Sequence, residues 1–138
     1  MKVEFYVLPS TKTADRLIAA CRLAHKAWRA GFMTFIRCSD TAQQAEVDDL
    51  LWTFRRASFI PHESYSATAQ APVLVGIDQR PHFDNGVLIN LNAELPPHLD
   101  CFTRVIEIVN QAPEQLNISR QNFVRYREQG YQPARVEL

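Results

Sequence analysis

The residues able to do chemistry are scattered along this chain. His25, His62, His82 and His98 fall at no metal-ligand spacing, and Cys21, Cys38 and Cys101 stand far apart. An odd number of unpaired-looking cysteines argues against a disulfide framework and for reduced thiols. Asp78 and Asp84 flank a turn and form a conceivable carboxylate pair, though turn chemistry explains both more simply. Glu46, Asp48 and Asp49 cluster on a helical stretch and read as its solvated face. No serine occupies a nucleophile elbow. The four glycines, Gly31, Gly76, Gly86 and Gly130, make no phosphate-cradling pattern, and the turn "LPSTKTADR" after the first apolar run has none. Without them the backbone cannot approach a phosphate closely. No catalytic site, metal or cofactor is expected.

The residues suited to recognition are better organised. Of the fifteen basic residues, three are Lys and twelve are Arg. Arg favours bidentate capture of carboxylates and stacking on rings. A balanced fifteen acidic residues give zero net charge, which disfavours binding duplex DNA by bulk electrostatics. The stretch "LLWTFRRASFIPH", Leu50 to His62, gathers a Trp, two Phe and an Arg pair. On a helical projection Val47, Leu50, Leu51 and Phe54 share one stripe, and Trp52 lands about 150° from its centre. Either Trp52 is displayed as an interface anchor, or the helix ends early and the ring folds under the following loop. Near the C-terminus Leu116, Phe123 and Tyr126 make an apolar face edged by Arg120 and Arg127, while Arg125 projects elsewhere. Such an edge suits an acidic peptide ending in an apolar residue; equally, the Arg stems could simply cover the core margin.

These residues need a scaffold. "VEFYVL" (3–8), "FMTFIRC" (32–38), "VLVGI" (73–77), "VLINL" (87–91) and "RVIEIV" (104–109) read as strands. A helix capped by Thr13 runs to about Ala30 with Leu17, Cys21, Ala24 and Trp28 inward, and stops at Gly31. A second is capped by Ser39 or Asp40, and a third opens at Pro113 and ends at Gly130. "ESYSATAQAP" (63–72) reads as a loop. Alternating strands and helices imply one α/β domain over residues 1–138, a mostly parallel sheet flanked by helices. No stretch has the length of a membrane span, nor the N-terminus a signal-peptide block, so a cytoplasmic protein is expected.

Several stretches in order, "FYVL", "AWRAG", "LLW", "SFIPH" followed by "APV", "VLINL" and "YREQGY", resemble the chi subunits of bacterial DNA polymerase III holoenzyme over essentially the whole chain. The resemblance implies a mononucleotide-binding-like α/β layer without its phosphate loop, and a non-enzymatic adaptor of the clamp-loader assembly. Chi proteins bind the psi subunit and the acidic C-terminal tail of single-stranded DNA-binding protein. By position Trp52 matches the family's tail-site tryptophan and Arg120 the basic residue that meets the tail. Phe123 stands where tyrosine is usual, Val124 where the pattern has lysine, and Ala112 matches an apolar pocket residue. Arg127 lies on the same edge, and Phe59 matches a residue of the psi side. Trp52 and Arg120 are expected to form opposite walls of one tail site, with Phe59 apart from it. Two alternatives stand beside this: an adaptor for a repair helicase, or weak direct nucleic-acid binding through Arg55, Arg56, Arg120, Arg125 and Arg127.

Overall fold

The computed structural model describes residues 1–54 and 59–138; Arg55 and Arg56 lie outside the described residues. In chain order the elements are β1 (Lys2–Val7), α1 (Thr13–Arg29), β2 (Thr34–Arg37), α2 (Thr41–Thr53), β3 (His62–Ser64), β4 (Val73–Gly76), β5 (Gly86–Asn90), β6 (Phe102–Val109), α3 (Pro113–Glu128) and β7 (Ala134–Glu137), with a single 3₁₀ turn at Leu99–Cys101. The strands form one sheet in the order β3-β4-β2-β5-β6-β1-β7. Every pairing is parallel.

Period-two alternation sorts the apolar residues onto two faces. Ile36, Val73, Val75, Val87, Ile89, Ile106 and Ile108 pack with Leu17, Cys21 and Ala24 of α1 and Val47 and Leu51 of α2. On the other face Phe5, Phe35, Leu74, Leu88, Val105 and Val109 pack with Tyr126 of α3, and Leu116 and Phe123 complete that layer. Burial on both faces is what a parallel sheet between helices requires.

The helix ends follow local chemistry. Asp40 caps α2 by accepting from the Gln43 N–H at 2.8 Å. Pro113 takes the first position of α3, where its missing N–H costs nothing. Gly31 and Gly130 follow α1 and α3 with φ of 89° and 91°, the left-handed termination that glycine allows. Thr13 is not a cap: Lys12 holds that position, and Thr13 is the first helical residue. The Ser10 hydroxyl instead accepts from Lys12 N–H and donates to Asp15, organising the turn.

Two strands escaped the sequence pattern, for the same reason. β3 falls partly in "ESYSATAQAP"; it is three residues long and only His62 in it is buried. β7 is a polar edge strand with no buried residue. Edge strands need little apolar pattern, because one side has no neighbour.

The carboxyl ends of the central strands, where sheets of this class usually bind ligands, are plugged by a polar network. Arg37 donates to Asp78 at 2.9 Å, to Asn90 Oδ1 at 3.1 Å and to the Glu94 carbonyl at 2.7 Å. Asp78 is thus an anchor for a buried Arg and not half of a carboxylate pair. Asn90 and the Tyr126 hydroxyl donate to the buried carboxylate of Glu107, the latter at 2.7 Å. Burial pushes Glu107 up to about 7 against the opposing effect of those donors and of Arg37 and Arg16. A carboxyl raised on folding holds more protons in the native chain, so it removes stability as pH rises from the ordinary carboxylate range through about 7. Tyr126→Phe withdraws a donor from the ionised form. It should cost about 1–2 kcal/mol by urea unfolding at pH 8 and less at pH 5.5. A cost equal at both pH values would contradict this.

Candidate functional site: two docking surfaces

The turn repeat of α3 places Leu116, Ser119, Arg120, Phe123 and Val124 along one flank. That flank faces Phe5 and Val7 of β1, Val109 of β6 and Arg135 of β7, enclosing a groove of about 410 Å³. Register explains Arg135: it pairs with Phe5, so both reach the same face. Phe5 and Phe123 meet at 5.2 Å between ring centroids, and the Arg127 guanidinium lies 4.9 Å over the Phe123 ring. That cation–π contact holds Phe123 as a fixed wall. Val124 is 51% exposed at the groove's lip. Arg135 is tied to Glu137 at 2.7 Å. Arg120 is exposed and, among the described residues, has no ion-pair partner. An apolar trough with an unpaired guanidinium at its rim can take an apolar side chain and a carboxylate from the same ligand.

A second surface lies at the end of α2. Val47 and Leu51 are buried beneath it, and Trp52 points outward as the helical projection requires, 56% exposed. Phe59 is 60% exposed and sits 5.8 Å from the Trp52 ring. The buried His62 ring meets Trp52 edge-on at 4.6 Å and supports it from below. His62 Nδ1 donates to the Ile60 carbonyl at 2.7 Å, and Nε2 faces Asp48 at 3.3 Å. A pair of touching, exposed rings on a fixed base is the composition of a protein-binding hot spot.

The family described as "DNA polymerase III chi subunit, HolC" matches residues 1–134. The chain belongs to the DNA polymerase III chi subunit family. Its relatives include the protein named DNA polymerase III subunit chi in Pseudomonas aeruginosa, 45% identical over 130 residues, which cover 94% of this chain and 92% of that one. Those of the same name in Haemophilus influenzae and Escherichia coli are 30% and 29% identical, over 93% and 92% of this chain and 91% of each relative. Membership places the chain among the replication accessory subunits of DNA polymerase III.

Within this chi-family chain the expected site residues divide differently from the sequence reading. Arg120, Phe123 and Val124 come together in the α3 groove, with Arg127 behind Phe123. Ala112, at the start of α3, lines a separate depression with Ser39 and Gln43. Leu116, not Ala112, lines the α3 groove beside Phe123. Trp52 does not join Arg120. It packs near the β3 edge on the face covered by α1 and α2, whereas Arg120 lies by β1 and β7 on the α3 face. β3 and β1 are five strand spacings apart, roughly 24 Å at about 4.8 Å each, so no short ligand spans them. Trp52 and Phe59, expected in different sites, form one patch.

Phe5, Val7 and Arg135 also line the groove, and no motif in the sequence marks them as site residues. The odd-numbered alternation of β1 marks Phe5 and Val7 as sharing a buried face, but nothing local says that they floor a groove beside α3. Among the described residues no group of three or more His, Cys, Asp or Glu side chains could hold a metal ion. No described helix is long and apolar enough to cross a membrane.

Proposed function

We propose that this chi-family chain is a non-catalytic adaptor that links the psi subunit to the C-terminal tail of single-stranded DNA-binding protein during replication. The observation that carries this reading is the α3 groove, an apolar trough whose rim holds the unpaired Arg120. A tail ending in an apolar residue with a free carboxylate seats its side chain against Phe5, Leu116 and Phe123 and its carboxylate on Arg120. Upstream acidic residues meet the exposed Arg125, which borders the shallow depression next to Arg120 and Val124. The exposed Trp52–Phe59 pair is the surface for psi.

Calorimetric titration of a short acidic peptide ending in Phe tests the tail site. The free acid should bind, and the C-terminal amide should bind about tenfold more weakly, because Arg120 loses its charged partner. Affinity should fall as salt is raised from about 0.05 M to about 0.3 M, since the ion pairs are near the surface. Equal affinity of acid and amide would remove the terminal carboxylate from the recognition.

A further inference from the structure

A second groove, of about 320 Å³, opens on the opposite face of the sheet from Arg120, between the C-terminal half of α1 and strands β1, β5 and β6. On this face α1 packs on β2, β5 and β6 and α2 on β3 and β4, so among the described elements the strip over β1 is left without a helix. The floor is Leu23, Ala27, Phe32 and Ile106, with Phe32 45% exposed. The small side chain of Ala27 leaves the room.

The rim is cationic from both sides, with Lys2 on β1 and Lys26 on α1. Both are exposed, and among the described residues neither has an ion-pair partner. Arg104, also on the rim, is paired with Glu4. Arg22 and Arg29 continue the stripe one turn to either side of Lys26, equally unpaired among the described residues. A chain of zero net charge therefore places three cations on the rim of this apolar trough, Lys2 and Lys26 unpaired among the described residues, with Arg22 and Arg29 on the neighbouring flank of α1.

We propose that this groove docks an acidic internal segment of a partner protein, one apolar side chain resting on Leu23, Ala27, Phe32 and Ile106 while flanking carboxylates meet Lys2 and Lys26. Cations on opposite banks suit a segment that runs through the groove, unlike the α3 site, where Arg120 is the single guanidinium free among the described residues and suits a chain end. Single-stranded nucleic acid is the competing polyanion, but it needs open ring faces for its bases. Here the Tyr6 ring is buried with the Arg104 guanidinium 6.0 Å over it, which leaves Phe32 as the only exposed ring among the groove residues. Charge complementarity with an apolar anchor therefore favours the peptide.

The test uses the full chain, ¹⁵N-labelled, titrated with a short peptide of alternating Asp, Glu and Leu that is acetylated and amidated so that it has no terminal carboxylate. Amide shifts should move across Leu23 to Phe32 and at Thr103, and stay still from Ser119 to Val124. The double variant Lys2→Glu, Lys26→Glu, altering only exposed side chains, should bind about tenfold more weakly or worse. Arg120→Ala should bind this peptide like the parent chain, which separates failure here from failure of the tail site. Shifts confined to α3, absence of saturable binding, or groove shifts produced by a short oligothymidylate and not by the peptide would each overturn the proposal.

Discussion

Arg120→Ala should lower affinity for an acidic peptide ending in a free Phe by about thirtyfold, ~2 kcal/mol. The size follows from the groove's composition. Among the described residues Arg120 is the one rim cation without a partner, since Arg135 is held by Glu137 and Arg127 is committed to the Phe123 ring. Removing it leaves the ligand's carboxylate beside apolar walls with no opposite charge. The change is at an exposed position, so folding is unaffected. Arg120→Lys should recover part of the loss, retaining charge without the planar fork. Calorimetry at low salt resolves the three proteins, and parent-like binding by Arg120→Ala would place the tail elsewhere.

Trp52→Ala and Phe59→Ala should each weaken psi binding by about thirtyfold, with the double variant falling well short of the product. The two rings touch at 5.8 Å and form one platform, so losing either exposes the flank of the other. Neither substitution should change the affinity of the tail peptide. This reverses the sequence-based expectation for Trp52, and the reason is topological: α2 and α3 cover opposite faces of the sheet. Loss of tail binding in Trp52→Ala would restore the shared site and contradict the separation.

The elements that bury a stripe were legible in the sequence. α1 with Leu17, Cys21 and Ala24, α2 with Val47 and Leu51, and the central strands carry their periodicity openly, and the outward angle of Trp52 follows from the same projection. The polar edge strands β3 and β7 were not legible, because nothing requires them to be apolar. The site was half legible. Arg120, Phe123 and Val124 share a groove because they share a helix flank, which spacing alone can give. The partnership of Trp52 with Phe59, and its distance from Arg120, depend on strand order in the sheet, which no local pattern encodes. Asp78 shows the same limit: its partner Arg37 is 41 residues away in sequence.

The adaptor reading stands or falls on whether the two surfaces are occupied together. The tail peptide should be titrated calorimetrically into the chain alone and into the chain saturated with psi. With the α3 groove and the Trp52–Phe59 patch on opposite faces of the sheet, the two titrations should give the same affinity within about twofold. Abolition of peptide binding by psi would mean that both partners compete for one surface, and the chain could not link them.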